Sequence, residues 1–328
     1  MIKIDLDHKL RKTGLNRQEF ETIFANKLLD YQHKAVTRRA GSLYDRFGLG
    51  LNLARSRDVK IRLDEVFLRL YLSCPDLKNY IDTFFSPIAS NLDARQLLKD
   101  IILLPPNDLK YTVNSIGSFP SPSSIGKIFD YSRDNDLRVR PSFTDIGFKV
   151  CTYCNRNYTS NFTTRGSQKA TFTLDHFYQK GDLPIFSLSL YNLIPACAVC
   201  NTNIKNTRNV NHYENPYSEH YDFHNKAKFK LLPHYNVKLV TSDADCFEYI
   251  KHFYINEVYK THTIEVKEFV KKREVFTDDM IRKIAQLTRH SEIRVKSSLF
   301  GESIYNKNIG NESLGKLKAD LGKELGLT

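Results

Sequence analysis

Six cysteines occur in the sequence, and four of them form two tight pairs, Cys151-Thr-Tyr-Cys154 and Cys197-Ala-Val-Cys200, with 42 residues between the pairs. Two residues between thiolates let one turn of chain present both sulfurs to the same ion, and four such sulfurs make the closed tetrahedral set of structural zinc. The gap exceeds that of simple zinc ribbons, so the spacing predicts a zinc site without specifying a domain. The setting is unlike the strand-to-helix turn of a redox-active pair. Four thiolates leave no position open for water, so the zinc would act as a clamp and any chemistry must come from the residues it holds. Cys74 and Cys246 stand alone and read as small buried apolar groups.

Inside the clamp runs Thr171-Phe-Thr-Leu-Asp175-His176-Phe-Tyr-Gln-Lys180, whose alternation of β-branched and aromatic residues predicts a strand that ends at Gly181-Asp182. Leu190-Tyr-Asn192-Leu-Ile-Pro-Ala-Cys197 follows, and from Cys197 the chain is expected to turn into a helix. On that helix Asn201, Lys205 and Arg208 stand at i, i+4 and i+7 and would share one face. Phosphodiester hydrolysis needs a base for water, a divalent cation on the phosphate, and positive groups for the backbone. His176 can be the base, because an imidazole titrates near neutral pH. Asp175 and Asn201 offer hard oxygen donors suited to Mg²⁺ or Mn²⁺, which would stabilise charge on the phosphate and the departing oxygen. Lys205 and Arg208 would contact nucleic-acid phosphates. Asn192, grouped with the catalytic set, is expected to tie the hairpin loop through side-chain-to-backbone hydrogen bonds. Neighbours on a regular strand point to opposite faces, so Asp175 and His176 can serve one site only where the strand ends, bends or bulges.

These residues resemble the HNH, or ββα-metal, nuclease superfamily. The likeness lies in Cys-x2-Cys, then Leu-Asp-His, then Asn-Leu-Ile-Pro-x-Cys-x2-Cys-Asn-x3-Lys, in that order over about 60 residues. It is similar to the zinc-clamped, four-cysteine branch, which includes phage junction resolvases and HNH proteins of bacterial anti-phage defence. The resemblance implies that Asp175 and Asn201 ligate the catalytic metal and that His176 is the general base. The third signature residue is thus Asn in place of His, a common variant. Gln179 departs from the many relatives that carry Pro after the Asp-His strand, which affects loop shape and not chemistry. Residues 151–158, Asn215-Pro216-Tyr217 and Leu314–Asp320 resemble a wider group, including the HNH partners of ATPases in Septu-type and retron-linked defence.

The flanks must position this set. Apolar residues recur at helical spacing over 15–35 (Phe20, Ile23, Phe24, Leu28, Tyr31), and further helices are expected near 61–73, 77–87, 92–104, Ile125–Tyr131, 243–259, 263–273, 278–289 and 312–325. Ser90-Asn91 offers a cap for the helix that ends at Pro105-Pro106. Residues 105–124, with two Pro clusters and Gly117, read as an irregular connection. The expected fold is α+β: a mostly helical protein with a central zinc-stabilised ββα-metal module. The expected regions are 1–124 (helical), 125–225 (the nuclease module with its four-cysteine site) and 226–328 (helical).

Composition sets the outer bounds. At 328 residues, 41% hydrophobic and 26% charged, the chain falls in the folded globular range and outside the disordered one. Its mean hydropathy is −0.44 and no apolar run approaches a membrane span, so a cytoplasmic protein with no membrane partner is expected. The net charge of +12 favours a polyanionic partner, nucleic acid first. Basic groups at Lys34-Arg38-Arg39, Arg55-Arg57-Lys60 and Lys271-Lys272-Arg273 read as solvated helix faces that can follow a nucleic-acid backbone, and His212, His220, His224 and His234 as polar surface. The reading is a metal-dependent endonuclease of antiviral defence, with DNA favoured over RNA. Two alternatives are a nuclease subunit gated by an ATPase or sensor partner and acting on RNA or tRNA, and a zinc-stabilised nucleic-acid-binding module without catalysis. The sequence has no Gly-rich phosphate loop, so an NTP-driven step would come from the partner.

Overall fold

The computed structural model describes residues 1–30, 33–35, 59–116, 129, 139–164, 167–208, 210, 212–305 and 309–328. The chain opens with α1 (Leu6–Leu10) and α2 (Arg17–Leu29). A reciprocal capping box starts α2: the Asn16 side chain accepts from the Glu19 amide at 2.9 Å, and the Glu19 carboxylate accepts from the Asn16 amide at 2.8 Å. Phe20, Phe24 and Leu28 form its buried stripe. β1 (His33–Ala35) pairs antiparallel with β2 (Val59–Ile61), and α3 (Leu63–Ser73), α4 (Pro75–Phe84) and α5 (Asn91–Ile102) follow. Ser90 caps α5 through the Asp93 amide at 3.2 Å.

The stretch expected to be irregular from residue 105 instead begins with α6 (Pro106–Ile116). Pro106 stands in the first turn, where its fixed φ suits the helix and its missing N–H has no intrahelical partner to lose. Leu109, Val113 and Ile116 then turn one apolar stripe inward. The remainder of that stretch lies outside the described residues. So do Tyr31, the helix expected over Ile125–Tyr131 apart from Phe129, and the basic residues Arg38, Arg39, Arg55 and Arg57.

In the middle of the chain, α7 (Arg140–Ile146) ends on Gly147 at φ 72, a left-handed cap that glycine adopts without a Cβ clash. Two antiparallel hairpins follow, β3 (Asn161–Thr164) with β4 (Ser167–Ala170) and β5 (Thr173–His176) with β6 (Leu193–Ala196). The second places Asp175 opposite Ile194 and His176 opposite Leu193. A π-helix over Val199–Lys205 comes next.

The rest comprises α8 (Phe223–Lys226), the antiparallel hairpin β7 (Ala227–Leu231) with β8 (Val237–Thr241), α9 (Ala244–His252), α10 (Ile255–Tyr259), α11 (Thr263–Val275), α12 (Asp278–Thr288), α13 (Glu292–Phe300) and α14 (Gly315–Glu324). The single helix expected over 243–259 is broken at Tyr254, which adopts φ 48 between α9 and α10. Phe253 and Ile255 are both fully buried, and the break lets both enter the core, which residues two apart on one continuous helix, set on different faces, cannot do as well. The protein is therefore mostly helical α+β, and each of the four sheets among the described residues is a two-stranded antiparallel pair. Among those residues no helix is long and apolar enough to cross a membrane.

One hydrophobic core extends from Met1 to Leu327 and takes in the paired cysteines. C-terminal segments converge on the turn Cys151–Asn155: the Tyr259 hydroxyl donates to the Cys154 carbonyl at 2.8 Å, the Tyr249 hydroxyl to the Tyr153 carbonyl at 3.1 Å, and the Lys316 amide to Asn155 Oδ1 at 2.7 Å. Within α14 the buried Lys316 ammonium lies 3.0 Å from Asp320 Oδ2, an oxygen that also accepts from the Phe229 amide of β7 at 2.8 Å. Burial pulls the Lys316 ammonium down to about 8, and Asp320 opposes that pull. Asp320→Ala would leave this cation without its carboxylate, so a loss of about 3–5 kcal/mol is expected in urea unfolding. Lys316→Met added to that variant should recover part of the loss; an unchanged midpoint in the single variant would remove the pair from the list of stabilising contacts.

Candidate functional site

The first cysteine pair sits on a tight turn. The Cys151 amide donates to the Asn157 carbonyl and the Asn155 amide to the Cys151 carbonyl, each at 2.9 Å, and Asn155 takes φ 52 to close the turn. The second pair lies at the start of the π-helix. All six cysteines are free thiols, and the ligand atoms of Cys151, Cys154, Cys197 and Cys200 lie within 4.8 Å of one another, all buried. Sulfurs ~2.3 Å from a tetrahedral zinc stand about 3.8 Å apart, so the cluster could hold that ion with little movement. Three N–H groups already point at its sulfurs: Arg156 N on Cys154 at 3.4 Å, Asn157 Nδ2 on Cys197 at 3.2 Å and Cys200 N on Cys197 at 3.5 Å. Such donors favour thiolate over thiol. Donation from the other three cysteines holds Cys197 far below the ordinary thiol range, while burial pushes Cys151 up.

β5 carries the titratable pair beside this cluster. Thr173 and Asp175 share one face of the strand, and the π-helix meets both: Asn201 Nδ2 donates to Thr173 Oγ1 at 3.0 Å, and Lys205 Nζ to Asp175 Oδ1 at 3.0 Å. Lys205 Nζ also donates to the His176 carbonyl at 2.9 Å. The second Asp175 oxygen accepts from the Tyr153 hydroxyl at 2.5 Å. Burial pushes the Asp175 carboxyl up, and Lys205 and Tyr153 pull against that shift.

The strand ends at His176, which is what allows two sequence neighbours to reach one cleft. The ring Nε2 lies 3.0 Å from the Ser187 carbonyl. A carbonyl only accepts, so Nε2 carries the proton and the lone pair resides on Nδ1. Burial lowers this ring to about 3, which keeps it neutral at physiological pH. Beyond His176, Asn192 fixes the loop: its Oδ1 accepts from the Tyr178 amide at 2.7 Å, and its Nδ2 donates to the Tyr178 and Phe186 carbonyls at 3.1 and 3.0 Å. A cleft of about 500 Å³ opens here, lined among others by Arg140, Asp175, His176, Lys180, Asn201 and Lys205.

The shared face expected for Asn201, Lys205 and Arg208 is not formed. The Asn206 amide bonds back to the Asn201 carbonyl at 2.7 Å, and Asn206 leaves the π-helix at φ 47, ψ −120, so Arg208 follows the helix and does not extend its face. Lys205, expected at phosphates, is fully buried and turned onto Asp175. Arg208 is exposed, with its guanidinium carbon 5.8 Å from the centroid of the Tyr254 ring. Tyr153 and Arg140 were not singled out by spacing. Tyr153 had a signal in its place between two ligand cysteines, whereas Arg140 lies in a helix outside the motif. His212 and His220 line a separate pocket of about 230 Å³. Among the described residues, the four cysteines are the one group of three or more His, Cys, Asp or Glu close enough to hold a metal.

The fold and site thus define a mostly helical α+β protein with a buried four-cysteine cluster that could bind zinc. No family model, no curated protein and no solved structure matches the chain. Elemental analysis of the purified protein is expected to find one zinc per chain, and Cys154→Ser is expected to lose it. Folded protein that carries no zinc would refute the site.

Proposed function

We propose that this protein is a metal-dependent endonuclease of the HNH, ββα-metal, type that hydrolyses phosphodiester bonds of nucleic acid, with DNA the favoured substrate. The observation that carries the reading is the convergence of Asp175 and His176, at the end of β5, with Asn201 and Lys205 of the following helix around one cleft beside the four-cysteine cluster. Asp175 and Asn201 would hold Mg²⁺ or Mn²⁺. Lys205 and Tyr153 each bond one oxygen of the Asp175 carboxylate, so a cation would share those oxygens with them. When bound, such an ion supplies charge stabilisation at the phosphate and the leaving oxygen.

The chain's own groups do the rest. His176 accepts the proton of the attacking water at Nδ1, and its Nε2–H bond to the Ser187 carbonyl keeps that nitrogen facing the reaction and steadies the cation formed. Burial keeps the ring neutral but also opposes its protonation, so the role of base requires the charged substrate and metal to raise its proton affinity when they bind. Tyr153 and Lys205 fix the carboxylate, and Asn192 fixes the loop that follows the base. Arg140 and Lys180, on the cleft wall, are placed to attract phosphate oxygens. On the family resemblance, the cell would use this activity in antiviral defence.

A second reading, a nuclease subunit opened by an ATPase or sensor partner and acting on RNA or tRNA, is favoured by one observation. His176 is only 8% exposed, so substrate must displace neighbours to reach it. A binding module without catalysis would have no use for the neutral base beside a carboxylate.

Purified protein is to be assayed on supercoiled plasmid, single-stranded DNA and total tRNA with Mg²⁺, Mn²⁺ or EDTA. Cleavage is expected to require the metal and to fall by about 10²–10⁴-fold in His176→Ala, with zinc content unchanged and the variant still folded at the assay temperature. Undiminished cleavage by that variant would overturn the mechanism, and silence from wild type in every combination would favour the gated reading.

A further inference from the structure

We propose that Tyr254 and Arg208 form a stacking platform for an unpaired nucleobase, so that the strand entering the cleft is single-stranded at this point. The inference rests on reading the Asp175–His176 cleft as a phosphodiester site, and it adds the form of the substrate. Tyr254 lies between Phe253 and Ile255, both fully buried, yet is itself 47% exposed. It is turned outward by a left-handed backbone, φ 48 and ψ 37, that a bulky L-residue rarely adopts. A solvent-facing aromatic held out by an unfavourable backbone contributes little to the core, and such outliers cluster at ligand-binding positions.

The platform is coupled to the cleft on two sides. Arg208 covers the Tyr254 ring at 5.8 Å and directly follows Asn206 and Thr207, which line the cleft wall. On the other side, Phe253 stacks on Tyr153 at 4.6 Å and 24°, and the Tyr153 hydroxyl holds Asp175. An aromatic face and a guanidinium suit a nucleotide: the face and the guanidinium plane take a base, and the cation also suits a phosphate. Bases in a duplex are already stacked on each other, so such a platform selects an unpaired one.

The test uses the whole zinc-loaded chain in buffer without added Mg²⁺ or Mn²⁺, so that binding is read without cleavage and the four-cysteine site keeps its ion. The sequence contains no tryptophan, so Tyr254→Trp supplies a single indole whose fluorescence should be quenched by oligo-dT or oligo-U and not by a duplex of equal length. Tyr254→Gly accepts φ 48 without strain and should unfold at the same or a higher temperature. Its affinity for the single strand should nevertheless fall about ten-fold, while Tyr254→Phe binds like wild type. The proposal is overturned if Tyr254→Gly binds single strands as wild type does, or if duplex quenches the indole as strongly. Quenching by dT alone, by U alone or by both supports the platform and identifies the sugar preferred. Quenching in a protein that cleaves nothing with any metal would count against the self-sufficient nuclease, favour the gated reading and leave the platform standing. Cleavage with an unaffected Gly variant would do the reverse.

Discussion

The turn Cys151–Asn155 is the point on which the described structure converges. Its two sulfurs join Cys197 and Cys200 from across the β5–β6 hairpin. Its carbonyls receive hydroxyls from Tyr249 and Tyr259, its Asn155 side chain receives the Lys316 amide, and the Met1 amine donates to the Thr152 carbonyl at 3.0 Å. Segments far apart in sequence are thus tied to five residues, whose shape depends on four buried sulfurs sharing a small volume. Without a cation, thiolates packed within 4.8 Å repel each other. With zinc, the same crowding becomes a bond network, so this ion would order the flanks as well as the central hairpin.

The same turn reaches the cleft through Tyr153. A carboxylate buried as deeply as Asp175 is expensive to keep ionised, and two groups make it tolerable: the Lys205 ammonium and the Tyr153 hydroxyl. One comes from between the first cysteine pair and the other from the helix that begins at the second. The orientation of the carboxylate is therefore set from both halves of the cluster. Lys316 and Asp320 repeat the pattern at the far side of the turn, where a buried ion pair fastens α14 to β7. Paired burial of this kind adds little net stability, but removing one partner is costly, and that asymmetry fixes how the elements must meet.

Local signals in the sequence are legible where a short spacing determines the geometry. The cysteine pairs, the β5 strand and the cap at Ser90 belong here, because each depends on residues within one or two turns. The loop-tying bonds of Asn192 belong here too. What escaped depends on the rest of the chain. Pro106 reads as a breaker until its place in the first turn of a helix is known. The β7–β8 hairpin carries a period-2 alternation, with lysines between Ala227, Phe229 and Leu231, which a reading of the region for helical spacing passes over. The helix at the second cysteine pair ends at Lys205, where Asn206 leaves it at φ 47, and that early end left Arg208 off the face of Asn201 and Lys205. The break at Tyr254 follows from tertiary packing, since only the core calls for both Phe253 and Ile255.

That break has a wider consequence for how the cleft is assembled. A continuous helix from Ala244 to Tyr259 would carry Phe253 and Ile255 to different faces, and one of them would leave the core. Phe253 would then be lost from beneath Tyr153, the residue that orients Asp175. The strained residue is thus what permits an aromatic stack from Tyr249 through Phe253 to Tyr153. That stack transmits the rigidity of the C-terminal helices to a carboxylate on a short, two-stranded hairpin. A hairpin of this size is marginally stable alone, so the precision of the Asp175–His176 pair must be supplied from outside it, by the sulfur cluster on one side and by this stack on the other.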